Sequence, residues 1–116
     1  MKAIILSIAI SIAMLFACGS KKAEADQVIS FKVTGNCDMC KKTIEGSLKD
    51  LNAVSSAVWN KETKIIEVAY VSAEISEVEI HNAIARSGYD TEKVKADDVA
   101  YEGLHSCCQY ERTLHN

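Results

Sequence analysis

The sequence predicts an α+β fold in the element order βαββαβ, and two observations carry that prediction. Period-two runs rich in β-branched residues recur at Gln27–Thr34, Ala53–Asn60 and Lys64–Val71, the signature of half-buried strands. Between and after them lie two stretches with apolar residues at i, i+4, i+7 spacing, the signature of amphipathic helices. Two βαβ-type halves of this length, over residues 27–95, build the ferredoxin-like sandwich: a four-stranded antiparallel sheet with both helices on one face.

Each element has its own warrant. In the first strand Ile29, Phe31 and Val33 share a side, and Gly35-Asn36 ends it. Ile44, Leu48 and Leu51 stripe a helix over residues 38–51, with Asp38 as its N-cap or first-turn acid. The link Asn60-Lys61-Glu62-Thr63 is short enough for a hairpin between the next two strands. Ile80, Ala83, Ile84 and Ser87 stripe a helix over 74–87, and Gly88 suits its C-terminal cap. Tyr89–Lys95 reads as a weak last strand. Trp59, Tyr70 and Tyr101 read as packing residues, and His81 as a solvated helix residue.

Flanking segments lie outside that unit. Lys2 precedes an uncharged apolar run to Cys18, shorter than the roughly 20 residues a spanning helix needs, so residues 1–17 read as an export signal. Leu15-Phe16-Ala17-Cys18 resembles the bacterial lipoprotein lipobox, which implies lipidation of Cys18 and a polar tether over 18–26. Gly19 stands where inner-membrane lipoproteins carry Asp, which implies the outer membrane over the inner and a domain facing the periplasm. Residues 96–116 form a tail, too short to be a domain, that either folds back or stays free.

Composition narrows the function classes. The chain has 116 residues, room for one domain. A net charge of −3 and 6% aromatics offer neither a basic field nor stacking platforms, which argues against nucleic acid. There are 5 Cys and no Pro. Cys37 and Cys40 stand at C-x-x-C spacing where a strand gives way to a helix. Free N–H groups and the positive dipole end there favour a thiolate, the form that binds soft metals or attacks disulfides. Two thiolates suit a d¹⁰ ion such as Cu⁺ or Hg²⁺, and an open two-ligand site suits transfer. Zn²⁺ would want four ligands. The alternatives are a Cys37–Cys40 disulfide in an oxidising periplasm and a thiol-disulfide oxidoreductase. The second fits poorly, because thioredoxin-type sites face a cis-Pro and this chain has no Pro. No arrangement of Ser, His and Asp points to a hydrolase.

Val33-x-Gly35 running into Cys37-x-x-Cys40, then helix, hairpin, helix and Gly88-Tyr89, resembles the heavy-metal-associated domain family. That family includes copper chaperones, modules of copper-transporting ATPases and the periplasmic mercury-binding protein. The resemblance implies a soft ion held by Cys37 and Cys40, Cu⁺ first, with Hg²⁺, Zn²⁺ and Cd²⁺ as alternatives. It implies a non-enzymatic carrier whose partner is a metal transporter or efflux component, and a loop at Tyr89 beside the metal. The chain departs from the usual Gly-Met-x-Cys, since Gly35-Asn36-Cys37 is one residue shorter and Met39 sits inside the motif.

Lys41 and Lys42 are placed either to offset the charge of a metal dithiolate or simply in solvent. The tail adds His105, Cys107 and Cys108. Neighbouring cysteines strain to pair with each other. Three options follow: a second metal site with His105, a contribution to the first site, or disulfides to Cys37 or Cys40. His115, near the terminus, reads as solvated.

Overall fold

The computed structural model describes residues 24–115. The export signal and Cys18 therefore lie outside the described residues. Strand β1 (Gln27–Lys32) leads to helix α1 (Asp38–Lys49), a hairpin of β2 (Val54–Trp59) and β3 (Ile65–Tyr70), and helix α2 (Glu77–Arg86). A short helix α3 (Asp98–Glu102) and a 3₁₀ turn at Ser106–Cys108 follow. The sheet is antiparallel in the order β1-β3-β2.

Register follows the buried side chains. Phe31 and Trp59 both oppose Ile66, so one row of three buried residues crosses the sheet. Fully burying each such side chain is worth about 1.5–3 kcal/mol. The hairpin that brings them together puts Lys64 at φ 64°, a left-handed conformation costing a non-glycine about 1–2 kcal/mol. The row outweighs the turn.

Ile44 and Leu48 of α1 and Ile80, Ala83 and Ile84 of α2 join the same core cluster as the inner face of the sheet. Val28, Val58 and Ile65 stand exposed on the other face, so both helices cover one side. The architecture is the ferredoxin-like sandwich.

Helix α2 begins three residues later than the expected span of 74–87. Ser76 caps it: its side chain accepts from the Glu79 N–H at 3.2 Å, while the Glu79 carboxylate accepts from the Ser76 N–H at 2.8 Å. This is a complete capping box. Gly88 ends the helix at φ 105°, where a Cβ would sit 3.0 Å from the Ala100 carbonyl oxygen, so both conformation and space require glycine.

Two expectations need correction. The fourth strand is a single bridge, Val33 to Thr91, among the described residues. Thr34 N–H donates to Asp90 O at 3.0 Å and Glu92 N–H to Lys32 O at 3.1 Å, and pairing stops there. The Thr91 hydroxyl accepts from the N–H groups of Lys93 and Val94, and Thr91 N–H donates to Val94 O, folding the segment into a turn. Local side-chain bonds thus displace a ladder. His81, read as solvated, is fully buried, stacked on Phe31 at 3.8 Å and bonded through Nδ1 to the Thr91 hydroxyl. Burial of that ring lowers its pKa.

Candidate metal centre

Helix α1 starts on Cys37, which occupies the N-cap position with extended backbone (φ −145°) and makes no side-chain cap bond. Asp38 is the first-turn acid and pairs with Lys61 at 3.2 Å. One helical turn later Cys40 points inward and is fully buried, whereas Cys37 is half-buried. Their sulfurs are 3.5 Å apart, and both thiols are free.

The loop before the helix is held from below and from the side. Gly35 lies against the Trp59 ring, where an added Cβ would meet two ring carbons at 3.0 Å. That ring is fixed by Trp59 Nε1–H donating to Val33 O at 3.0 Å. Lys64, brought round by its left-handed backbone, donates from Nζ to Gly35 O at 2.6 Å. The Asn36 N–H points at Cys40 Sγ, 3.4 Å away. These contacts aim a shortened loop at the thiols without any methionine before Cys37.

The tail folds back onto this loop. Tyr110 is buried; its hydroxyl donates to Gly88 O and accepts from the Asp90 N–H, each at 2.8 Å. Arg112 meets the buried Asp90 carboxylate at 2.9 and 3.2 Å, reaches Asp98 at 2.6 Å, and lies over the Tyr101 ring. Arg112 in turn keeps the Asp90 carboxyl below the usual range against the opposing effect of its burial. Asn36 Nδ2 donates to Cys107 O at 3.3 Å. The outcome is that Cys108, buried, puts its sulfur 3.8 Å from that of Cys37. The sulfurs of Cys37, Cys40 and Cys108 all lie within 4.8 Å of one another.

Electrostatics differ sharply across the cluster. The Cys40 N–H, the Cys40 thiol and the Met39 N–H bring the Cys37 thiol down to about 7. Desolvation, and then crowding by Cys40, pushes Cys108 up to about 12. Tyr89, fully buried beside Cys40 and Cys108, has its phenol raised by burial first and by those thiols next. Its hydroxyl makes no hydrogen bond of full geometry among the described residues.

Other residues singled out by sequence fall outside the cluster. Cys107 is exposed, with its sulfur 3.8 Å from that of Cys108 but not within the three-sulfur group. His105 is exposed and contributes only its carbonyl, to the Cys108 N–H. His115, also exposed, bonds Thr91 O. Lys41 is turned aside to Trp59 O at 2.6 Å and Glu45 at 3.1 Å, and Lys42 and Met39 are exposed. The tail folds back so that the Cys108 sulfur lies beside those of Cys37 and Cys40, and all four described cysteines are free thiols. Residues missed by sequence are Trp59 and Lys64 as supports of the loop and Arg112 as the tail's anchor. Only the S-x-x-E of the α2 cap was a signal open to reading in advance.

A cluster of free thiols at a strand-to-helix junction of a ferredoxin-like sandwich defines a soft-metal-binding domain. Residues 30–90 match the heavy-metal-associated domain, and the chain belongs to that family. It is similar to the copper chaperone CopZ of Staphylococcus epidermidis, 35% identical over 60 residues that cover 51% of this chain and 88% of that protein. Among solved structures, the CopZ metallochaperone superposes with a TM-score of 0.54 at 29% identity, covering 56% of this chain and 98% of the other. The N-terminal domain of a potential copper-translocating P-type ATPase from Bacillus subtilis, in its Cu(I)-loaded state, gives 0.53 at 26% identity, covering 55% and 81%. Cys107 and Cys108 lie beyond the matched residues.

Proposed function

We propose that the protein is a lipid-anchored carrier of the cell envelope that captures Cu⁺ through Cys37 and Cys40 and hands it to a metal transporter or efflux component. The observation that carries this reading is the pair of free sulfurs 3.5 Å apart at the uncapped start of α1, one half-exposed and one buried. Cys37, the more acidic and accessible thiol, meets the incoming ion first as thiolate. Cys40 then gives up its proton and closes the clasp. Thiolate sulfur prefers soft ions, and no imidazole or carboxylate joins the sulfur cluster among the described residues, which favours Cu⁺ over Zn²⁺.

The relatives support the direction of the chemistry, since they include a copper chaperone and the Cu(I)-loaded N-terminal domain of a potential copper-translocating P-type ATPase. Because Cys37 stays half-exposed, a partner's thiolate has a side from which to attack the bound ion. The export-signal pattern ending in Leu15-Phe16-Ala17-Cys18 supports an outer-membrane lipid anchor facing the periplasm, with residues 18–26 as tether.

The test is retention of one equivalent of Cu⁺ by the reduced full chain, purified in detergent, against a chromogenic chelator; failure to retain it sinks the reading. The same titration with Hg²⁺, Cd²⁺ and Zn²⁺ ranks the cargo. Cys18→Ser is expected to move the protein from the membrane to the soluble fraction of an expressing cell, and no movement removes the anchor.

A further inference from the structure

We propose that Cys108 is a third sulfur ligand, so that the soft ion is held in a three-thiolate site closed by the C-terminal tail. The inference rests on the metal-carrier reading above and deepens it. It assigns a ligand outside the residues that match the family.

Geometry supports it at three points. The Cys108 sulfur is 3.8 Å from that of Cys37, and all three sulfurs lie within 4.8 Å of one another, a spacing from which small movements close around one ion. The position of Cys108 is built and not incidental. Tyr110 seals its hydroxyl between Gly88 O and Asp90 N–H two residues away, and Arg112 locks the same strand of tail to Asp90. The third point is Tyr89. Its hydroxyl is fully buried beside Cys40 and Cys108 and lacks a full hydrogen bond among the described residues. Thiols are weak acceptors, and a buried hydroxyl without a partner is costly. Once an ion strips the thiol protons, the sulfurs become strong acceptors and the Tyr89 O–H has a partner. Three sulfur donors without a fourth His, Cys, Asp or Glu in the group among the described residues suit a three-coordinate d¹⁰ ion and not tetrahedral Zn²⁺.

Binding is a proton exchange with no change of oxidation state. Three S–H bonds break, three metal–sulfur bonds form, and up to three protons leave to water, fewer where Cys37 is already thiolate. Cys107 takes no part: it is exposed, and its sulfur lies outside the group. A third thiolate makes the ion harder to lose to small chelators, so hand-over needs a partner thiolate to replace one of the three.

X-ray absorption at the copper edge of the Cu⁺-loaded full chain tests this directly. The expected result is three sulfurs around copper in the native chain and in Cys107→Ser, and two in Cys108→Ser. Cys108→Ser is also expected to lose Cu⁺ to a chromogenic chelator at least about tenfold more readily, the lower end of what removing even an outer partner costs a metal site. A native count of two overturns the proposal while leaving the carrier reading intact, and it does so without any variant having to fold. A count of three that survives Cys108→Ser overturns it too, since the third sulfur would then come from Cys107 or a second copy of the chain. No bound Cu⁺ at all fails the carrier reading itself.

Discussion

The two helices of the sandwich begin in opposite ways. Helix α2 opens on Ser76, whose hydroxyl and the Glu79 carboxylate satisfy each other's backbone N–H groups. Helix α1 opens on Cys37, with no side-chain cap bond. Such a helix start costs stability, because its Met39 and Cys40 N–H groups face the Cys37 sulfur, a weaker acceptor than the oxygen of a serine or aspartate cap. It also concentrates positive potential where a thiolate can use it. The helix that only holds the fold closes its end, and the helix that carries the chemistry leaves its end open to sulfur.

Swapping one end for the other gives the largest expected effect. Cys37→Ser installs a preferred cap residue where cysteine stands. Thermal or denaturant unfolding is expected to show a gain of up to about 1 kcal/mol, while chelator competition shows Cu⁺ retention lost. A variant that loses stability along with metal binding would mean that the bare end is not a sacrifice of capping.

The reverse change at α2 is smaller. Ser76→Ala is expected to lower stability by about 1 kcal/mol and to leave Cu⁺ retention unaltered. Reduced retention at unchanged metal stoichiometry would show that α2 helps to position the site.

The smallest effect is a pH signature of the metal-free chain. The Cys37 thiol is lowered from its ordinary 9.0 to about 7, so its contribution is present above pH 9 and is lost as pH falls through 7. Cys108 is raised from 9.0 to about 12, so its contribution is present below pH 9 and is lost as pH rises through 12. Alkylation should separate them: Cys37 reacts with a midpoint near its pKa of about 7, while Cys108 stays unreactive until far more alkaline pH. Equal rates for the two would remove the asymmetry between the open helix end and the buried tail thiol.

Most of the scaffold was legible because its signals are local. The alternation of Ile29, Phe31 and Val33, the stripe of Ile44 and Leu48, and Gly88 after Ser87 each report on neighbours a few residues away. C-x-x-C was legible for the same reason, since one helical turn brings positions three apart together. Tyr89 lies beside Cys40 and Cys108, a neighbourhood that the family resemblance implied and that its own sequence neighbours do not signal. The fourth strand was misread because the Thr91 hydroxyl and Asp90 carboxylate compete for the backbone in ways that a period-two pattern does not register. His81 was misread because its hydrogen-bond partner, Thr91, is ten residues away and outside the helix.

The sequence by itself determined the βαββα order, the end of the sheet at which the thiol pair sits, and the soft character of its donors. The tertiary structure alone decided which tail cysteine reaches them. Cys107 and Cys108 are equivalent in composition and differ by one position, yet one is exposed and the other buried against Cys37. That choice depends on Tyr110 and Arg112 docking on Gly88 and Asp90, contacts more than 20 residues apart in the chain. Local propensity carries no information about such contacts. They are settled by burial and by the pairing of a carboxylate that could not otherwise be buried.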